Sequence, residues 1–191
     1  MPPQARITRE MILDAALALV REHGHGALTA RRLAAALGCS TQPILYQFDG
    51  VAQIADEVYR RSDALHTAYL TDGLESEPDP LLALGLRYIR FGAEEKHLFR
   101  FLFQSGRFDG RTPEELTADG TGPLVAIVAA EAGLPEADAR AVFQGLFVAV
   151  HGYASLLANN AMPWDPGAAE ATLTAVYNGL IKGEKQHEEA V

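Results

Sequence analysis

Residues 38–48, GCSTQPILYQF, set a threonine, two glutamines and a tyrosine among apolar residues, close behind the basic pair Arg31-Arg32. Side chains of these types can read a nucleic-acid duplex. A glutamine amide pairs with adenine through N6 and N7, threonine and apolar atoms meet the thymine methyl, and an arginine fork grips guanine or a phosphate. Which of them can do so depends on the helix face each occupies. A helix turns about 100° per residue, so a slip of one position moves a side chain off its face.

The elements that must position these residues are short helices. Thr8 is placed to cap a first helix over 8–23 with Ile12, Ala15, Ala16, Leu19 and Val20 on one face, ended by Gly24 in a left-handed C-cap. Thr29 caps a second over 30–37, with Leu33, Ala36 and Leu37 on one face, stopped by Gly38. Ser40 caps a third over 41–48, Pro43 falls at its third position where no intrahelical N–H is lost, and Cys39 staples against Ile44. Two short helices joined by a turn of about four residues have the layout of a helix-turn-helix, whose second helix enters the major groove. The residues left for base edges are then Thr41, Gln42 and Pro43, with Tyr46 and Gln47 one turn later. The competing expectation is an αα-hairpin with a solvated polar face.

Helical spacing continues along the chain and no strand-like alternation persists, which makes the fold class all-α, with about nine helices. A long helix follows Asp49-Gly50 with Val51, Ile54, Ala55, Val58, Leu65 and Tyr69 inward; GLESEPDP is a connector, and Asp79-Pro80 opens a helix through about Gly92. HLFRFLF, a capping box at Thr112-Pro113-Glu114-Glu115, a break at Gly120 to Pro123, and two long helices at 136–159 and 166–181 complete it, with KGEKQHEEAV as a frayed tail.

Composition sets the class. With 48% hydrophobic and 21% charged residues, the chain reads as a globular protein with no membrane partner, expected in the cytoplasm. No apolar run is expected to span a bilayer, and the start MPPQARITRE lacks a signal-peptide core. Residues 1–50 hold five arginines against four acids, a balance of +1, so the remainder carries −10 of the overall −9. That asymmetry suits a chain in which only the N-terminal unit meets phosphate. Enzyme sites do not emerge: no histidine pair stands at i, i+4, one cysteine gives no zinc framework, and there is no phosphate loop, dinucleotide glycine run or nucleophile elbow. No cofactor or metal is expected.

The run LTARRLAAALGCSTQPILYQFDGVAQI resembles the DNA-binding head of the TetR family of bacterial transcriptional regulators. Thr29, Arg32-Leu33-Ala34 and Gly38-Cys39-Ser40 follow that family's pattern. Counting without gaps from Ser40, its Leu-Tyr falls on Ile44-Leu45, its His-Phe on Gln47-Phe48, and its Lys-x-x-Leu on Val51 to Ile54. Aligning Leu45-Tyr46 with Leu-Tyr instead requires a one-residue deletion, and the gapless count puts Ile44 and Phe48 on one buried face. Leu45 then replaces a phosphate-touching tyrosine and Val51 a lysine, which predicts a shallower salt dependence than a typical relative. The YIRFGAEEKHLFRFLF and FVAVHGYASL stretches resemble the ligand-sensing half of the branch with a Trp-x-x-x-His-Gly signature, Phe147 standing at the tryptophan.

The resemblance implies a DNA-binding domain at 1–50 and a ligand-binding and dimerisation domain at 51–191. It implies a homodimer on a double-stranded DNA operator, most simply a repressor, released by a small-molecule effector. The DNA-side residues are Thr29, Arg31, Arg32, Ser40, Thr41, Gln42, Pro43, Leu45, Tyr46 and Gln47. The effector side is expected at Tyr88, Phe91, Phe99, Leu102, Phe103, Phe143, Phe147 and His151, an apolar set suited to an apolar or aromatic molecule. Gly145, Ala149, Gly152 and Ala154 are expected to allow close approach of a second subunit. The alternative function is a helical binding or adaptor protein of the same architecture that no longer reads DNA.

Overall fold

The structure, a computed structural model, describes residues 7–106, 115, 120–160 and 162–188. Nine α-helices and no strand occur among the described residues: α1 Arg9–His23, α2 Ala30–Ala36, α3 Gln42–Gln47, α4 Val51–Thr71, α5 Pro80–Glu94, α6 Lys96–Phe103, α7 Gly122–Ala132, α8 Glu136–Asn159 and α9 Pro166–Glu188. Short 3₁₀ turns lie at His25–Ala27 and Leu74–Ser76. The chain divides into two compact units, Met1–Ala68 with Glu95–Arg107, and Tyr69–Glu94 with Phe108–Val191. The three-helix head lies within the first unit, which also takes in most of α4 and all of α6; the division expected after residue 50 falls inside it.

In the first unit α1 packs on α2, α3 and α6. Ile12, Ala16 and Val20, at four-residue steps, are fully buried, as are Leu33 of α2 and Ile44 of α3. Thr8 Oγ1 accepts from the Met11 N–H, so the expected cap is present. Gly24 ends α1 at a positive φ of 79°, as a left-handed cap requires, but with ψ 167° outside the left-handed helical region, and its N–H bonds the Val20 carbonyl. The buried face of α4 also differs from expectation. It runs Ile54, Val58, Ser62, His66, while Leu65 is exposed. A strict four-residue step carries the core across two polar side chains; Ser62 meets it by donating its hydroxyl to the Val58 carbonyl at 2.8 Å, and the His66 ring packs edge-on to Phe103.

In the second unit α8 is the central helix, flanked by α5, α7 and α9. Asp79 Oδ1 accepts from the Leu82 N–H and Asp165 Oδ1 from the Ala168 N–H, so both Asp-Pro openings act as caps. α8 is long and apolar enough to cross a membrane by length and composition, which corrects the expectation that no segment is. Eight of its residues, from Ala139 to Ala158, are nonetheless buried on a core-facing stripe. A Cβ on Gly92 of α5 would lie 2.8 Å from the Ala154 carbonyl oxygen, and one on Gly145 would lie 2.9 Å from Leu180 Cδ2. Ala154 and Gly145, two of the residues expected to allow close approach of a second subunit, therefore serve packing inside the chain. The last helix continues through Glu188 where a frayed tail is expected, and the Thr112 capping box lies outside the described residues.

Burial lowers the His66 pKa to about 4. The folded imidazole stays neutral down to that pH, whereas the unfolded one takes a proton near about 6.5. Between these values the unfolded state binds more protons, so the contribution of His66 to stability is complete above the upper value and declines as pH falls toward the lower one. Urea unfolding at pH 7 and pH 5 should show a loss of stability about 2 kcal/mol larger in the parent chain than in His66→Leu.

Candidate nucleic-acid interface

The turn between α2 and α3 is a Schellman motif. Gly38 takes φ 63°, its N–H reaches the Ala35 carbonyl at 3.3 Å, and the Cys39 N–H reaches the Ala34 carbonyl at 3.0 Å. A side chain at 38 would strain that backbone, so the glycine sets the geometry between the two helices. Thr29 Oγ1 caps α2 by accepting from the Arg32 N–H. α3 starts one residue later than expected. Thr41, already helical at φ −68° and ψ −19°, holds the N-cap position, no side chain caps there, and Pro43 is second in the helix. Ser40 therefore does not provide the expected cap.

The rotation of α3 follows the gapless count. Ile44 and Phe48 are 0% and 2% exposed, whereas Leu45 and Tyr46 are 53% and 89% exposed. Thr41, Gln42 and Ser40 are also exposed, and Pro43 is half-buried. Gln47 is turned differently: its Nε2 donates to the Ile7 carbonyl at 2.7 Å, so its amide serves to hold the start of α1.

Arg9 completes this register, and nothing in the local sequence announced it. Its guanidinium donates to the Gln47 carbonyl at 2.8 Å, pairs with Glu57 of α4, and lies 4.0 Å from the centroid of the Phe48 ring. One side chain of α1 thus ties the end of α3 to α4, across sequence separations of 38 and 48 residues.

Ion pairing sorts the charges of the unit. Arg9 is spent on Glu57 and Arg21 on Glu95, while Arg61 holds Glu10 and Asp14. Arg31 and Arg32 are exposed and have no ion-pair partner among the described residues. The α2–α3 hairpin thus presents two cations free of ion pairs among the described residues, on α2, and an exposed N-terminal edge on α3.

The expected effector residues divide between the units. Phe99, Leu102 and Phe103 belong to the first, where the Phe99 and Phe103 rings lie 4.9 Å apart. Tyr88, Phe91, Phe143, Phe147 and His151 belong to the second. Burial pushes the Tyr88 phenol well above its ordinary value and lowers His151, so a protonated phenol faces a neutral imidazole. The Tyr88 hydroxyl and His151 Nδ1 share a hydrogen bond across 2.9 Å whose direction follows the imidazole tautomer, with Phe147 against both rings. Phe91 and Phe143 are buried.

Residues 81–180, more than half the chain, match the family described as "Tetracyclin repressor-like, C-terminal domain", and residues 12–58 match "Bacterial regulatory proteins, tetR family". The chain belongs to the TetR family. Two curated relatives, each a "Probable acrEF/envCD operon repressor", come from Escherichia coli strain K12 and Escherichia coli O157:H7. Both are 26% identical over 124 residues, covering 61% of this TetR-family chain and 54% of the relative. The match thus spans about half the length of those relatives. A crystal structure of a protein from Pseudomonas aeruginosa PAO1, assigned as a transcriptional regulator, superposes with a TM-score of 0.67 at 18% identity over 96% of each chain, a likeness of fold.

Arg9→Ala should lower the unfolding free energy by about 2 kcal/mol, because it removes a charge-assisted hydrogen bond and the contact with Phe48 together. Chemical denaturation checks the magnitude.

Proposed function

We propose that this TetR-family protein is a DNA-binding transcriptional repressor that acts as a homodimer and is released by a small apolar or aromatic effector. The observation that carries the proposal is the outward edge of α3: Thr41, Gln42 and Tyr46 are exposed on a helix whose opposite face is locked by Ile44 and Phe48, and Arg31 and Arg32 of the preceding helix are exposed and free of ion pairs among the described residues. Gln42 supplies a bidentate amide for adenine, Thr41 and Pro43 apolar contact for thymine methyl, and the two arginines supply phosphate or guanine contacts. Two such heads sit in successive major grooves about 34–36 Å apart. With this chemistry the protein works in the cytoplasm, where the DNA is.

The second subunit docks on the exposed faces of α8 and α9. Val148, Gly152 and Leu156 on α8, and Ala171, Ala175 and Gly179 on α9, recur at four-residue steps and are all exposed, so they offer apolar area and close approach together. The effector contacts the aromatic group of Tyr88, Phe147 and His151, where the hydrogen-bonded pair supplies the polar member that fixes orientation. Release follows from differential affinity: an effector that binds one dimer state better shifts the heads away from the spacing that spans both half-sites.

Gln42→Ala, titrated against operators carrying single-base substitutions, should cost about 1–3 kcal/mol and relax specificity at one base position. An equal loss on every sequence would make Gln42 a backbone contact and would sink its role as a reader. Arg31→Ala and Arg32→Ala should instead weaken binding on all sequences, each reducing the log–log salt slope by about 1 if it grips a phosphate. Leu156→Glu should shift sedimentation from dimer to monomer while leaving the helical circular-dichroism spectrum unchanged.

A further inference from the structure

The second unit holds a cavity of about 250 Å³ between α5, α7, α8 and α9, and none of the eight residues expected to meet an effector lines it. Leu81, Leu146, Val150 and Leu173 give it an apolar base, and all four are buried. Gly85 lies in the same wall. A Cβ there would stand 2.9 Å from Leu173 Cδ1 and 3.6 Å from Val150 Cγ2, so any larger residue would push into that base.

The charged lining has one sign. Asp79 and Glu131 line the cavity, and no Lys, Arg or His does so among the described residues. Tyr177 donates its hydroxyl to Glu131 Oε2 at 3.1 Å, and Asp79 Oδ1 accepts the Leu82 N–H at 2.9 Å, which leaves one oxygen of each carboxylate without a partner among the described residues. Burial first, then the bond to Glu131 and the charges of Glu131 and Asp79, push the Tyr177 phenol up to about 12. Both carboxylates therefore act at one point in the wall. Of these causes only the two carboxylate charges favour a cation, and an aromatic ring and apolar base complete what an organic cation needs.

We infer that this cavity binds a small organic cation, a protonated or quaternary amine whose apolar body covers Leu146, Val150 and Leu173 while its charge lies between Asp79 and Glu131 beside the Tyr177 ring. The inference goes beyond the DNA-binding proposal and does not depend on it, because binding is read on the protein alone. Calorimetric titration of the full chain at constant ionic strength with benzyltrimethylammonium, benzyl alcohol and benzenesulfonate tests it. The cation should bind one per chain and tighter than the neutral probe, and the anion should not bind; amide shifts in NMR spectra should centre on Gly85 and Tyr177. Glu131→Gln and Asp79→Asn, the latter keeping a capping acceptor, should each weaken the cation about tenfold. Equal affinity for the three probes, no binding of the cation, shifts centred away from Gly85, or unchanged affinity in both variants would overturn it.

Discussion

The seating of Ile44 and Phe48 in the core, with Arg9 across the Phe48 ring, is the contact on which the account of this molecule depends. It sets the rotation of a helix only six residues long. A helix this short has little stability of its own, and its orientation comes from what it packs against. Turned by one residue, α3 would bury Leu45 and expose Ile44, and the edge carrying Thr41 and Gln42 would leave the solvent face. The Schellman turn at Gly38 and the cap at Thr29 serve the same end by fixing where α3 begins relative to α2.

Electrostatics follow from that arrangement rather than from the net charge. A chain of charge −9 is a poor candidate for a polyanion partner if its charge is smeared evenly. Within the first unit Glu10, Asp14, Glu57 and Glu95 are all held by arginines, whereas Arg31 and Arg32 on α2 have no ion-pair partner among the described residues. At physiological salt a charge acts over about 8 Å, so the net charge of the whole chain does not by itself set the field at Arg31 and Arg32. With few cations on α2 and α3, the recognition proposed above would lean on base contacts and show a shallow salt dependence.

Much of this was legible in the sequence because it is local. Helix starts at Thr8, Thr29, Asp79 and Asp165 are written in one residue and its N-cap chemistry, and the inward pair Ile44 and Phe48 in a four-residue step. What stayed hidden is non-local or polar. Arg9 could not be assigned, since its partners lie 38 and 48 residues away; the buried stripe of α4 passes onto Ser62 and His66, where hydrophobic counting stops and Leu65 misleads. Gln47 looked like a base reader by type, yet its amide is taken by the Ile7 carbonyl. The aromatic residues expected around an effector were chosen by type and spacing alone. The cavity with two carboxylates draws on four helices, so no window of sequence displays it.

The central claim is that the outward edge of α3 reads a specific duplex. Selection of bound fragments from the organism's own genomic DNA, followed by fluorescence-anisotropy titration of the enriched fragment at two salt concentrations, tests it most directly. The account predicts enrichment of a near-palindromic site with half-sites about one helical turn apart, bound well above random DNA and weakened by salt. A selection that enriches no sequence, with enriched and random fragments bound alike at both salt concentrations, would contradict it.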